Sequence, residues 1–426
     1  MKSASRQSWR LQIIPHTGLV INAGSLVGST AITSGLGFIF WWLAARLFPA
    51  DAVGLASAGI SAMMLLSTLA VLGLGTLLVG ELPRDPENAL PLISTALFIA
   101  GLAGGGLGIA FALAAPLVTP SLAIGQGPEA VLLFGAGVGL TALTMVLDQA
   151  LIGLLRGALQ LWRNTLFATA KLLILAALGF WAASRDALLI YGIWAAGNII
   201  SLVYLAAVAA RRGVLPQLCR LRLGPIRRLG QVALGHHALN LVLQAPSLLL
   251  PMLVTALLSA SMNARFYIAW MIASFAFVGP ASLGTVLFAI ASAEPDALAQ
   301  KVRMTLKLGL AFSLLAAGAL WLGSGFVLGI FNHSYAEQAT PCVRILGLGV
   351  FPWLIRSHYV TLRRLQNRTL EATLFVALGA LLELLGAAMG ARMGGLTGLS
   401  VGWLLAIAVE SSLMLPAVRA AAILTR

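Results

Sequence analysis

About twelve apolar runs, parted by short polar intervals, are each long enough to cross a bilayer as a helix of roughly 20 residues. They lie near 19–45, 53–80, 91–118, 130–154, 165–183, 187–209, 234–258, 265–290, 305–328, 342–362, 372–391 and 396–417. Helices are expected because hydrocarbon offers no hydrogen bonds, so a spanning segment must satisfy its own backbone. The predicted fold class is all-α, a polytopic integral membrane protein with about 12 transmembrane helices. Within three of the runs, polar residues recur at helical spacing. The first carries Asn22, Ser25, Ser29 and Thr33, the fourth Thr141, Thr144 and Asp148, and the seventh His237, Asn240, Gln244 and Ser247. Each set falls on one helix face. Serines and threonines on such a face commonly glue helices together, whereas the amides of Asn240 and Gln244 need specific partners. The first helix of each half bears a stripe, which favours a wet cleft.

Composition agrees. Of 426 residues only 9% are charged, against roughly 25% in a soluble domain. This excludes a soluble enzyme, a disordered chain and a secreted disulfide scaffold. The net charge of +14 comes in twos and threes between apolar runs, not along one basic face, so it reports orientation and not nucleic-acid binding. Twenty-one Lys and Arg, Arg163 and Lys171 among them, fall on the side of the N-terminus and five on the other. That asymmetry places both termini in the cytoplasm of a cell membrane protein and requires an even number of helices. Lys2, Arg6 and Arg10 resemble a signal n-region, but the run from Leu19 to Leu43 is too long for an h-region and should remain as the first span. Cys219 and Cys342 fall on opposite sides of the bilayer and cannot pair.

The most basic polar interval, Arg211 to Arg228, divides the chain into residues 1–212, a linker over 213–230, and residues 231–426, each part outside the linker holding six helices. Weak similarities recur at a near-constant offset. Pro86 matches Pro295 at 209, while Thr165-Leu166-Phe167 matches Thr373-Leu374-Phe375, and Arg156 matches Arg364, at 208. Six is even, so the repeats share one orientation: two parallel six-helix bundles, with a ligand site expected between them.

The chain resembles a polysaccharide-transport or O-antigen-type flippase of the multidrug/oligosaccharidyl-lipid/polysaccharide exporter superfamily. The resemblance rests on Asn22 to Ser34, on the stretch from Ala45-Arg46-Leu47-Phe48-Pro49 to Gly54, and on Leu151 to Arg156 with Asn164 to Lys171. Pro246 to Pro251 in helix 7 also carries it. It implies alternating-access export of a polyprenyl diphosphate-linked oligosaccharide, with helices 1 and 7 lining a cleft. Membrane lipids and a polysaccharide polymerase or glycosyltransferase machinery would be its partners, and no cofactor is implied. The alternative within the superfamily is a multidrug exporter. Such exporters commonly use a carboxylate in helix 1, and helix 1 here has none.

Ionisable residues inside spans are costly and function-biased. Asp148, Glu383 and Glu410 are the carboxylates so placed, and Arg356 is the basic residue well inside a span. The three acids are candidates for ion coupling. The offset of 208 makes Asp148 and Arg356 equivalent, so both could face a central cavity, with Arg356 attracting an anionic group. Alternatively, each pairs within its own bundle. On the cavity reading, Arg356→Ala should reduce transport and leave expression intact. A diphosphate headgroup would also suit Arg46 and Arg265, and Arg344, since guanidinium matches phosphate bidentately; as helix-end residues they could equally anchor lipid headgroups. Asn22, Asn240 and Gln244 complete the candidate substrate set. Pro246 and Pro251 interrupt helix 7 as a hinge or a static kink. Gly101-xxx-Gly105, Gly135-xxx-Gly139 and Gly386-xxx-Gly390 read as close helix packing. No P-loop and no metal-ligand spacing occurs, so neither an enzyme nor a metal site is expected.

Overall fold

A computed structural model describes residues 16–118, 120, 127–182, 184–213, 224–293 and 297–423, with the side chains of all but 16–23, 118, 224–233 and 293. Among the described residues all regular structure is helical: α1 (His16–Leu47), α2 (Ala50–Val71), α3 (Leu74–Glu81), α4 (Ala89–Val118), α5 (Pro128–Gly153), α6 (Gly157–Trp181) and α7 (Ala187–Arg211). The second half continues with α8 (Gly224–Leu257), α9 (Ala260–Ala293), α10 (Leu298–Phe331), α11 (His333–Leu348), α12 (Val350–Leu365) and α13 (Thr369–Ile423). Eleven helical segments are long and apolar enough to cross a membrane. The last, 55 residues long, folds back at Gly394–Gly395 and supplies two crossings. Among the described residues the protein is therefore an all-α polytopic membrane protein with eleven to twelve such segments, depending on whether the last is counted as two arms.

Local chemistry sets the breaks. Gly395 has φ +58° and ψ −138°, a conformation close to glycine-only backbone space, which lets two antiparallel arms follow one another almost without a loop. Leu72 (φ +50°) and Gly73 (φ +76°) split the second span into α2 and α3. The tenth span divides at Gly349 into α11 and α12. α7 begins where the Asp186 carboxylate accepts from Leu189 N at 2.9 Å, a side-chain cap on an orphan amide.

The chain forms two compact units. Unit 1 comprises the residues up to Leu47 with Ala62–His237, and unit 2 comprises Phe48–Ser61 with the residues from Ala238 on. The sequence expectation of a linker over 213–230 falls partly outside the described residues. The segment Phe48–Ser61, at the start of α2, groups with unit 2 because it crosses α9 backbone to backbone. A Cβ on Gly54 would collide with the Ala260 carbonyl. Asn263 donates to the Gly54 carbonyl at 2.7 Å and to Ser57 Oγ at 3.1 Å.

Inside unit 1, α4 packs on α5, and α6 on α1 and α7. The α4–α5 approach runs through glycines: a Cβ on Gly108 would lie 2.8 Å from the Gly135 Cα, and one on Gly139 3.1 Å from the Gly101 carbonyl oxygen. Inside unit 2, the two arms of α13 meet in the same way, Gly386 against the Gly402 carbonyl and Gly390 against that of Gly398. Small residues let backbones approach where lipid supplies no hydrophobic drive between helices.

Candidate functional site

A charge taken out of water costs several kcal/mol unless partners compensate it. In unit 2, α12 supplies Arg356, the first arm of α13 Glu383, and the second arm Glu410 and Trp403. The three charged residues are 2%, 0% and 1% exposed. Arg356 Nη1 donates to Glu383 Oε1 at 2.7 Å, and Trp403 Nε1 donates to Glu383 Oε2 at 2.7 Å. Arg356 Nη1 also lies 3.6 Å from Glu410 Oε2. Both oxygens of Glu383 are thus bonded. Neither oxygen of Glu410 has a hydrogen bond, nor do Arg356 Nε and Nη2, among the described residues. Two carboxylates face one guanidinium.

Glycines make this cluster possible. A Cβ on Gly379 would overlap the Glu410 carboxylate, and one on Gly349 would lie 2.5 Å from the Trp403 ring. Aromatic rings wall it: Trp270 meets Trp403 edge-on at 5.0 Å, and Phe277 stacks on Trp353 at 4.9 Å. Trp353 in turn faces the Arg356 guanidinium at 5.3 Å.

Unit 1 holds further buried polar groups among the described residues. In one, Asp148 Oδ2 accepts from Arg163 Nη2 at 2.7 Å and from Asn164 Nδ2 at 3.5 Å. Asn164 Nδ2 also donates to Ser29 Oγ of α1 at 3.1 Å, and Arg163 bonds Asn164 directly. The Asp148 side chain is 20% exposed, its partner nearly enclosed. In another, buried Asn198 donates to Thr141 Oγ1 at 3.2 Å, and Thr144 donates to the Thr141 carbonyl at 2.8 Å. Buried Lys171, on α6, lies against the face of Trp194.

The structure shifts the internal repeat by one helical turn. After α5, Leu155 takes φ +56°; after α12, Asn367 takes φ +57°. Arg156 N bonds Leu151 O at 2.8 Å, and Arg368 N bonds Arg363 O at 2.8 Å. The same turn thus recurs 212 residues on, against the 208 read from side-chain matches. Asp148 and Arg356 are therefore not equivalent. A shift of 212 carries Thr144, Lys171 and Asn198 onto Arg356, Glu383 and Glu410, and all six are buried. The two triplets share a spacing of 27 residues at each step.

The other candidates are placed as follows. Arg356 meets carboxylates of its own unit and is closed off from solvent, which removes the exposed guanidinium that the cavity reading required. Asp148 likewise finds its partner inside its own unit. Asn240 is exposed on α8, its Oδ1 accepting from Arg364 Nη2 at 2.9 Å. Gln244, also exposed, donates to the Asn240 carbonyl at 3.3 Å. Arg46 is exposed with its guanidinium over Trp42, 5.0 Å from the ring centroid. Arg265 donates to Ser261 Oγ at 2.9 Å, with its Nε unbonded. Arg344 donates to the Trp321 carbonyl at 3.0 Å. α8 passes through buried Pro246 and Pro251 as one helix, and Thr255 Oγ1 bonds the Pro251 carbonyl at 2.9 Å. The side chain of Asn22 and all of Cys219 lie outside the described residues; Cys342 is buried against Ser400 Oγ at 2.8 Å.

Sequence reading missed Arg163, Lys171, Asn198 and Trp403. The first two stand in the charge tally as cytoplasmic residues, yet both are buried within α6, which trims the excess without reversing it. The available signal was Lys171 inside the apolar run from Leu166 to Leu178.

No protein-family model and no curated protein sequence matches the chain. Solved structures do. A multidrug resistance MATE family transporter of the MOP superfamily, in its inward-facing conformation, superposes with a TM-score of 0.71 at 14% identity, covering 93% of this chain and 97% of that one. A MOP superfamily transporter from Pyrococcus furiosus, described as having a binding pocket of reverse polarity that suggests a different function, gives 0.64 at 14% over 95% of each chain. A MATE structure in complex with MaD3S gives 0.60 at 14%, over 95% of this chain and 96% of that one. Over nearly its whole length, the chain shares the fold of MATE transporters of the MOP superfamily.

Proposed function

We propose that the protein is a secondary transporter of the MOP superfamily that works by alternating access and exports an amphiphilic organic solute against a cation gradient. The observation that carries the reading is the charge deficit at Glu410. Arg356 neutralises one carboxylate, leaving a second, enclosed one that finds no donor among the described residues and lies beside the Glu383 carboxylate. An uncompensated buried charge demands a partner, and one proton or Na⁺ ion supplies it. Glu383, bonded on both oxygens, acts as the fixed counter-charge of Arg356, and Glu410 as the exchanging group. Asp148, already held by Arg163 and Asn164, is a weaker coupling candidate.

The neighbour described as a multidrug resistance transporter favours a lipophilic small molecule as substrate. A second reading, translocation of a lipid-linked oligosaccharide from inner to outer leaflet, draws on the cationic excess and on Arg46 and Arg265. Its polymerase or glycosyltransferase partners belong to that reading alone. The charge asymmetry supports a cell membrane location with both termini cytoplasmic in either case.

Proteoliposomes separate the two. With an imposed proton or Na⁺ gradient, efflux of ethidium supports the exporter. Gradient-dependent loss of a fluorescent polyprenyl diphosphate saccharide from the dithionite-accessible leaflet, without ethidium efflux, supports the flippase. Movement of neither defeats both.

A further inference from the structure

The proposed coupling role leaves the centre of unit 1 unused, and that centre holds a lysine with no carboxylate partner among the described residues. Lys171 lies in mid-α6, 3% exposed. Among the described residues its Nζ makes ring contacts and no hydrogen bond. Three ring faces surround it: Trp194 of α7 with its centroid at 3.5 Å, Phe167 of α6 at 4.6 Å and Phe40 of α1 at 5.0 Å. The rings brace one another, Phe40 and Phe167 each meeting Trp194 edge-on at 5.8 and 5.5 Å. Gly197 gives the stem its place, since a Cβ there would come within 3.2 Å of both the Lys171 Cβ and the Phe167 ring. The helices around the ammonium thus present rings to it and no acid. The nearest charged residue on α6 itself, Arg163, is committed to Asp148.

A box of aromatic faces recognises ammonium groups through the ring quadrupole, most strongly where water is excluded. The repeat gives this box a meaning. Lys171 stands where Glu383 stands in unit 2, and Asn198 where Glu410 stands. We infer that the box is a cation site with a built-in occupant. In unit 1 the Lys171 ammonium takes the repeat position of the fixed carboxylate Glu383, and the uncharged Asn198 takes that of the exchanging Glu410. The comparison with unit 2 rests on the coupling role proposed for Glu410; the box and its tethered cation do not. On this basis only unit 2 exchanges a cation during transport, and unit 1 carries its own.

Chemical complementation of the purified full chain tests this. Lys171→Ala removes three methylenes and the ammonium, a gap the size of n-propylammonium. The variant should melt below wild type. n-Propylammonium chloride should raise its melting temperature more than KCl of equal strength or 1-propanol, and should leave wild type unmoved. Lys171→Met, which keeps the volume and loses the charge, should melt below Lys171→Arg, and carries the test if the alanine variant does not fold. Equal rescue by 1-propanol, or a Lys171→Met variant as stable as wild type, overturns the tethered cation. Glu410→Gln separates the two ideas. If it transports normally while the n-propylammonium rescue succeeds, the coupling reading fails and the aromatic box stands.

Discussion

Arg356 stands out in the sequence as a charge that a membrane span should not contain, and nothing local says what surrounds it. Its partner Glu383 is 27 residues away on the next helix, and a third charge, Glu410, lies 27 further on. Cost is visible in one dimension; pairing needs the tertiary fold. The structure therefore alters what a substitution should do. Arg356→Ala, expected from sequence to spare expression, strands two enclosed carboxylates, and breaking such a pair costs about 3–5 kcal/mol. Thermal unfolding in detergent should show a large fall in Tm, reduced when Glu383→Gln and Glu410→Gln are added; a melting curve like wild type would contradict the cluster. Gly379→Ala should act more narrowly. Its new methyl displaces the Glu410 carboxylate, so gradient-driven transport should drop well before the fold does, as flux and Tm measured on one preparation would show.

At the scale of helices, the twelve spans could be read from hydropathy because twenty apolar residues in a row have few alternatives. What could not be read is register. Loose side-chain matches gave 208, whereas the backbone turns at Leu155 and Asn367 give 212, one turn of helix, enough to exchange Asp148 for Thr144 as the counterpart of Arg356. Glycine spacing fared better, because Gly-xxx-Gly acts through a local geometry that sequence carries. In α13, Gly390 faces the Gly398 carbonyl with no room for a methyl. Gly390→Ala should destabilise by about 1–3 kcal/mol, the range for overpacking, whereas alanine at Gly318, where no atom lies within 4 Å, should be neutral by the same unfolding assay. Helix α8 poses a question of motion. If its prolines act as a hinge, Pro251→Ala should slow transport while Tm holds or rises; an unchanged rate assigns Pro251 to static packing.

For the whole molecule, the two units differ in the charged groups they enclose. Among the described residues, unit 1 encloses a lysine beyond its Asp148–Arg163 pair, and unit 2 a carboxylate beyond its Arg356–Glu383 pair. Such a division has no evident packing purpose, since apolar residues of like volume commonly stabilise a core as well as buried ions do. The proposed transport role gives it one, because an enclosed acid that gained and lost a cation would convert a gradient into a change of state, provided the two states differ in affinity for it. The decisive measurement is ethidium efflux from proteoliposomes under an imposed proton or Na⁺ gradient, comparing wild type with Glu410→Gln, a substitution that keeps shape and removes charge. The account predicts gradient-driven efflux in wild type and its loss in the variant at unchanged Tm. Equal gradient-driven efflux from both would contradict it.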